Sequence, residues 1–155
     1  MPAGKTVFID STTFLYTLDD DEAQKGIVAQ GWLTTLSASR AGVTNLQVLN
    51  EVASVITRKS TRFGDRDPFF EIDAFAQFGT TPLTTTTALS ARQLFQQHRY
   101  AWWDCLLLAS ALELGCTHFL SEDLHDGHRI THETPRSLTI INPFAHSADD
   151  ILTQH

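Results

Sequence analysis

The sequence predicts an α/β fold: a three-layer α/β/α domain with a central, mostly parallel sheet. Short apolar, β-branched segments alternate with longer segments whose apolar residues recur at helical spacing. A chain of 155 residues with 42% hydrophobic residues is large enough for one domain with its own core. We therefore expect a single domain over residues 1–155, with residues 1–4 and 147–155 as flexible or peripheral ends.

The first half of the chain is predicted to hold two strands, each followed by helix. In order, the elements are a strand over residues 5–9, a helix capped by the hydroxyls of residues 11–13, a helix over residues 21–39 punctuated by Gly42, a strand at Val43, and a helix capped by Thr44 or Asn45. This alternation is typical of parallel strands joined by helical crossovers.

The second half continues the pattern. The predicted elements are a helix from Asp67-Pro68 to Gly79, a strand over residues 83–85, a helix over residues 88–98, an apolar helix over residues 102–114 with Gly115 as its C-cap, a strand over residues 117–120, a loop or single helical turn over residues 122–127, a strand over residues 138–141, and a short or frayed helix in residues 148–155. The aromatic residues Trp32, Phe69, Phe70, Phe75 and Phe78 are expected in the core or in a subunit interface.

Four acidic residues lie beside apolar segments, far apart in sequence. They are Asp10 after the first strand, Glu51 in the helix after the second strand, Asp104 at the start of the apolar helix, and Asp123 after the strand that follows it. A charge beside a core segment is costly unless it is paired or binds metal. Strand ends and helix starts meet at the carboxyl-terminal edge of a parallel sheet. The pattern therefore predicts one carboxylate cluster that holds divalent metal.

Each acid also has an ordinary structural explanation. Asp10 and Asp104 suit the amino-terminal end of a helix, where a carboxylate caps the backbone or offsets the dipole. Glu51 could pair with a neighbouring arginine, and Asp123 could be a solvated loop residue. Glu51 nevertheless lies four residues before Val55, on or beside the apolar stripe of its helix. We favour a metal-binding role for all four acids.

Four nearby polar residues are secondary candidates. Asp126 lies about one turn after Asp123 if this segment is helical, so it is a candidate ligand for a second ion or a water. Glu122 alternates away from Asp123 on an extended chain and is expected to be solvated. Thr12 and Ser121 are candidates to hydrogen-bond a carboxylate or a metal-bound water.

A cluster of carboxylates favours particular ions and a particular chemistry. Oxygen ligands suit Mg²⁺ or Mn²⁺ rather than zinc. Such an ion turns a bound water into a nucleophile, and a second ion can stabilise the leaving oxygen of a phosphoester. The sequence has no Ser-His or Cys-His arrangement and no phosphate-binding glycine loop. The residues alone thus predict metal-dependent phosphoester hydrolysis.

The basic residues give a mixed indication about nucleic acid. A net charge of -7 argues against a nucleic-acid binder, because phosphate repels an acidic surface. However, Arg58, Lys59, Arg62 and Arg66 supply four of the eleven basic residues within nine positions. This patch is a candidate RNA contact, although it could equally be a solvated helix end.

The cysteines and histidines indicate neither a disulfide nor a zinc site. Cys105 and Cys116 are eleven residues apart in one predicted helix, roughly 16 Å, which is too far for a disulfide. His128 and His132 have a metal-compatible spacing only in a helix, and Pro135 favours extended chain. With free thiols and no apolar run of membrane length, we expect a cytoplasmic protein without a membrane partner.

The four acids and their neighbours form a recognisable series of segments. These are FIDS at residues 8–11, VLNEV at residues 48–52, WDCLLLASA at residues 103–111 and LSEDLHDG at residues 120–127, with IINPF at residues 140–144. The series resembles the PIN domain, and most of all the toxin ribonucleases of the VapBC toxin–antitoxin type. The resemblance spans residues 10–144, and its specificity comes from the four acids in order.

The resemblance implies a Mg²⁺- or Mn²⁺-dependent endoribonuclease that leaves 5′-phosphate and 3′-hydroxyl ends. Asp10, Glu51, Asp104 and Asp123 match the acidic positions of the family. The resemblance also implies a homodimer and a cognate antitoxin that covers the site, often with an arginine placed among the carboxylates. The chain departs from the family in its length, in the tail after residue 146 and in its net acidity.

Two other interpretations use the same residues. A phosphatase that forms an aspartyl-phosphate on Asp10 usually needs a second acid two residues later, where Thr12 stands. A non-catalytic PIN domain that binds RNA or acts as a scaffold typically loses one or more of the acids, and all four are present here.

Overall fold

The computed structural model describes residues 4–59, 63–64, 67–131 and 136–154, and the structural statements below refer to these residues. The strands are β1 (Val7–Phe8), β2 (Gly42–Val43), β3 (His118–Leu120), β4 (Arg129–Thr131) and β5 (Ser137–Ile141). The helices are α1 (Ser11–Tyr16), α2 (Ala23–Ser39), α3 (Leu46–Arg58), α4 (Pro68–Phe75), α5 (Thr85–His98), α6 (Trp102–Glu113) and α7 (Ala148–Thr153), with a 3₁₀ turn over Ala76–Phe78.

The five strands form one sheet in the order β2-β1-β3-β5-β4. Neighbouring strands are parallel except for β4, which runs antiparallel to β5 at the edge. In β1, Val7 and Phe8 are fully buried and pair with β2 on one side and β3 on the other. The predicted fold class, a mostly parallel sheet within α/β/α layers, is confirmed. The carboxyl ends of β1, β2 and β3 consequently point to one edge.

Helix α6 forms the most apolar wall of the core. Its residues 105–111 are all buried, and it packs against α5. Within the sheet, the rings of Phe8 and Phe119 stack at a centroid distance of 5.3 Å. On the α2 side, the indole Nε1 of buried Trp32 donates to the carbonyl oxygen of Pro143 at 2.8 Å. This bond ties α2 to the chain that leaves β5.

The predicted strand over residues 83–85 is wrong, because this segment begins a helix. The hydroxyl of Thr84 accepts from the backbone N–H of Thr87, and the Thr87 hydroxyl accepts from the Thr84 N–H, which forms a capping box. A run of β-branched residues suggested a strand, but here its hydroxyls satisfy the free N–H groups of α5. Only a single bridge, between Asn45 and Thr81, lies nearby among the described residues.

Two further local features differ from the prediction. Helix α2 ends at Ser39, where its C-cap Arg40 adopts a left-handed conformation with φ 56°, and Gly42 is instead part of β2. Sequence periodicity also missed β4, a three-residue edge strand. His128 directly precedes β4 and lies outside any helix, and His132 lies outside the described residues.

The tail after residue 146 is packed rather than peripheral. Ser147 caps α7, and Ile151 is 2% exposed on a helix that contacts α2. The ammonium of Lys5 donates to the carbonyl oxygen of Ile151 at 2.9 Å. The two ends of the described chain are therefore joined.

The remaining expectations concern cysteines, aromatics and membrane spans. Cys105 and Cys116 are buried free thiols, and burial raises the pKa of Cys116 to about 12. Trp32, Phe75 and Phe78 are buried, whereas Phe69 and Phe70 are 65% and 71% exposed. No described helix is both long and apolar enough to cross a membrane.

Replacing Gly79 by alanine should destabilise the fold, since Gly79 has φ +134° and an added Cβ would lie 2.6 Å from the carbonyl oxygen of Thr44. We expect a loss of at least about 2 kcal/mol in the free energy of unfolding. Gly31→Ala is the control, because it lies within α2 with open space around it and should gain about 0.5–1 kcal/mol. Urea denaturation measures both, and a similar stability for the two variants would contradict the prediction.

Candidate active site

Asp10 follows β1 and forms the N-cap of α1. Its Oδ1 accepts from the backbone N–H of Thr13 at 3.2 Å and from the Thr13 hydroxyl at 2.5 Å. Burial raises the pKa of Asp10 to about 6, even though these hydrogen bonds act to lower it. A carboxylate has two oxygens and several lone pairs, so capping leaves room for a ligand. Asp10 can therefore cap α1 and also bind a metal ion.

The register of the sheet places Asp10 beside the chain that carries Asp123. Phe8 pairs with Phe119, and continuing this register by two residues brings Asp10 level with Ser121. Adjacent strands lie about 4.8 Å apart. The buried Ser121 hydroxyl accepts from the backbone N–H of Leu124 at 3.1 Å, which turns the chain and leaves Asp123 exposed.

Glu51 is held at the same edge by α3. The side chain of Asn45 caps this helix by accepting from the N–H of Val48 at 3.0 Å. Glu51 lies six residues after the cap, about 9 Å along the axis. It is partly buried, next to the fully buried Val52, and Gln47 donates to its Oε1 at 3.4 Å. The predicted position beside the apolar stripe is confirmed.

Asp104 is electrostatically coupled to two of the other acids. It lies in the first turn of α6 and is partly buried. Burial raises its pKa, and the negative charges of Asp123 and then Glu51 raise it further. The charges of Glu51 in α3 and Asp123 in the loop after β3 therefore act on Asp104 in α6. These three residues are separated by 19 to 72 positions in sequence.

These acids form an open arrangement rather than a closed cage. Among the described residues, no group of three or more His, Cys, Asp or Glu side chains is placed to hold a metal ion as it stands. Glu51, Asp104 and Asp123 are electrostatically coupled, and Asp10 lies at the same sheet edge through its strand. An ion would have to draw these side chains together.

Asp126 is engaged elsewhere. Its Oδ1 accepts from the backbone N–H of Asn142 at 2.8 Å, and its Oδ2 lies 2.9 Å from the Nε2 of His146. Burial acts to raise the pKa of Asp126, but these two partners outweigh it and hold the pKa below its usual range. Asp126 thus fastens the loop after β3 to the chain after β5.

Glu122 was expected to be solvated, but its side chain is paired. Its Oε2 lies 3.0 Å from the ammonium of Lys25, and its Oε1 accepts from the hydroxyl of Tyr16. The Lys25 ammonium also lies 5.2 Å from the ring centre of Phe144. Glu122 turns toward α1 and α2 while its neighbour Asp123 is exposed, so the expected alternation holds. No local pattern could have identified Lys25, which is 97 positions away.

The candidate supporting residues differ in their placement. Thr13, expected only as a capping residue, bonds Asp10 directly. A side-chain hydrogen bond from Thr12 also acts to lower the pKa of Asp10, and Thr12 lines a cavity of about 220 Å³ between α1 and α3. Lys59 lines the same cavity. Arg58 is exposed at the end of α3. Arg62 and Arg66 lie outside the described residues.

The fold and the acids together define an α/β domain with carboxylates grouped at the carboxyl-terminal edge of a parallel sheet. A model of the PIN domain family matches residues 7–126, and the chain belongs to this family.

Two solved structures share this fold. Mycobacterium tuberculosis VapC20, a sarcin-ricin loop cleaving toxin, is 17% identical with a TM-score of 0.53, covering 74% of this chain and 87% of its own. A toxin–antitoxin complex from Klebsiella pneumoniae is 14% identical with a TM-score of 0.59, covering 89% of this chain and 98% of its own. At these identities the likeness is one of fold. No curated protein matches the chain significantly.

Asp10→Asn should stabilise the metal-free protein at neutral pH. Because the folded-state pKa of Asp10 is raised to about 6, its contribution to stability is complete below the unfolded pKa of about 3.9 and is lost as pH rises through 6. The variant should therefore exceed the wild type by at most about 3 kcal/mol at pH 7 and by little at pH 4. Denaturation of both proteins in EDTA at pH 7 and pH 4 measures their free energies of unfolding. A stability difference between variant and wild type that is the same at both pH values would contradict the prediction.

Proposed function

We propose that this PIN domain is a divalent-metal-dependent endoribonuclease and the toxin of a toxin–antitoxin pair. The observation that carries the proposal is the coupling of Glu51 and Asp123 to Asp104 at the sheet edge where β1 delivers Asp10. The two solved proteins of the same fold support the toxin role, since one is a sarcin-ricin loop cleaving toxin and the other a toxin–antitoxin complex.

The donor set fits a hard cation. Asp10, Glu51, Asp104 and Asp123 offer oxygen ligands, which favour Mg²⁺ or Mn²⁺. Burial, and then the negative charges of Asp123 and Glu51, raise the pKa of Asp104, and a bound cation would offset both effects. When bound, one or two such ions would supply an activated water and charge stabilisation for hydrolysis that leaves 5′-phosphate and 3′-hydroxyl ends.

The protein's part is to hold the carboxylates in place. Thr13 fixes Asp10 through two hydrogen bonds on one oxygen. Ser121 turns the chain before Asp123, and Glu122 anchors that turn to Lys25. These supports hold the acids near one another against their mutual repulsion. We assign Asp126 to fastening the loop and Thr12 to the wall of the cavity beside Asp10.

The basic residues at the end of α3 are the proposed contacts for the RNA backbone. Lys59 shares a cavity with Thr12, which is two residues from Asp10. Arg58 is exposed on the same helix end. Phosphate contacts of this kind hold RNA independently of its sequence. Arg62 and Arg66 complete this proposed patch on the sequence evidence.

We propose a cognate antitoxin and a homodimer, in the cytoplasm, as the working assembly. Trp102 and Trp103 are 39% and 57% exposed directly before Asp104, so a partner covering the site would also bury two large rings. Phe69 and Phe70 on α4 offer a separate apolar surface for a second copy. Co-expression with a small adjacent reading frame should suppress cleavage, and a partner that leaves cleavage unchanged would argue against the pairing.

Asp104→Asn should abolish metal-dependent RNA cleavage while the fold survives. Losing a ligand should lower activity by more than about 100-fold, since even residues that only support ligands cost 10–100-fold. Cleavage of end-labelled RNA with Mg²⁺ or Mn²⁺, and with EDTA, measures the effect. Asp149→Asn is the matched control, because Asp149 is an exposed carboxylate on α7 and should retain full activity.

Two outcomes would count against the proposal. Undiminished cleavage by Asp104→Asn would refute the site assignment. Metal binding and correct folding without cleavage of any RNA would favour a non-catalytic, RNA-binding PIN domain instead.

A further inference from the structure

We propose that Tyr100, His125 and His128 form a stacking subsite for one unpaired nucleobase of the substrate RNA. The proposal rests on the proposed nuclease function and adds a recognition site beside the acids. The rings of these residues line a cavity of about 480 Å³, together with Asp126 and Gly127. Unstacked bases bind proteins mainly by stacking on aromatic rings of this kind.

The rings are arranged around one corner. The centroids of Tyr100 and His128 are 5.8 Å apart with an angle of 61° between the ring planes, and those of His125 and His128 are 6.2 Å apart at 71°. The Tyr100 hydroxyl and the Nδ1 of His128 are hydrogen-bonded at 2.5 Å. His125 is exposed, and the other two rings are half-buried. A planar group that enters the cavity therefore meets a lining of three aromatic rings.

The backbone holds this corner rigidly. The N–H of His128 donates to the carbonyl oxygen of His125 at 3.2 Å, and the carbonyl of His128 accepts from Ile140 at 2.9 Å. The N–H of Gly127 donates to the carbonyl oxygen of Ile140 in β5 at 2.7 Å. A preformed site loses little conformational entropy on binding.

His98 forms the wall behind the corner. Its ring lies 5.0 Å from that of His128 and stacks on Tyr100 at 6.0 Å and 20°. Its Nε2 is buried without a hydrogen-bond partner among the described residues. Burial lowers the pKa of His98, and the neighbouring His128 lowers it further. This wall is therefore uncharged at neutral pH, as suits an aromatic ligand.

The subsite lies next to the acids along both chain segments that form it. His125 is two residues after Asp123, and two extended residues span at most about 7 Å. Tyr100 is four residues before Asp104, and its carbonyl oxygen accepts from the Cys105 thiol at 3.5 Å. A nucleotide adjacent to the cleaved phosphate can thus reach the rings.

The lining favours a base over a phosphate or a metal ion. Asp126 is ionised at neutral pH, and the described residues that line the cavity include no lysine or arginine to attract phosphate. Although three histidines are close, the described His, Cys, Asp and Glu side chains form no group that could hold a metal. A carboxylate on the rim can instead accept from the amino group of a base.

Fluorescence of 2-aminopurine in single-stranded RNA tests the subsite independently of cleavage. Decamers with one 2-aminopurine at successive positions would be titrated with the Asp104→Asn chain in Mg²⁺, so that the RNA stays intact. We expect quenching at one position. Adding His125→Ala should remove this quenching and weaken binding by about 5- to 100-fold. His125→Phe should restore both, because stacking needs a ring and not an imidazole.

Leu89→Ala is the control, because it removes an exposed apolar side chain on α5, nine residues from His98, and should change neither quenching nor affinity. Quenching by the His125→Ala protein equal to that of its parent, or no quenching at any position, would overturn the subsite. If wild-type protein still cleaves RNA in that case, the nuclease proposal stands alone. Position-specific quenching that needs His125, without cleavage by the wild type, would keep the subsite and refute the nuclease.

Discussion

The parallel pairing of β1 with both β2 and β3 is the constraint on which the site depends. These strands are only two or three residues long, so regular ladder bonds contribute little. The pairing is extended by backbone bonds at 2.8 Å from Val7 to Ala41 and from Ile9 to Val43, and by the Thr44 hydroxyl, which donates to Ile9 at 2.9 Å. Complete burial of Val7, Phe8 and Ile9 excludes competing water. A slip of one residue would turn Asp10 to the other face of the sheet.

The acids oppose the folding that brings them together. Burial raises the pKa of Asp10 to about 6, and burial together with two neighbouring charges raises that of Asp104, so in the metal-free protein both ionise less readily than an exposed aspartate. A site built only for stability would not place these groups here. The unfavourable charge is offset by the core of α6 and by supports around the edge, and it gives a cation a reason to bind.

The sequence predicted those features whose cause is local. Apolar periodicity located α3 and α6, and the acids beside them followed from the cost of a charge next to a core segment. Thr84 was misassigned because a β-branched residue also makes a good N-cap, and the capping box depends on the side chain of Thr87. Glu122 was misassigned because its partners Tyr16 and Lys25 are about 100 positions away, which a single sequence does not reveal.

Salt can act on the active site in a second way, by weakening the ion pair of Lys25 and Glu122. The side chain of Lys25 is 41% exposed and that of Glu122 is 19% exposed, so dissolved ions screen this pair in part. Salt also weakens RNA binding through displaced counterions. The slope of a salt titration of cleavage would thus combine phosphate contacts with loosening of the turn that carries Asp123. If the whole slope were assigned to phosphate contacts, the number of contacts to RNA would be overestimated.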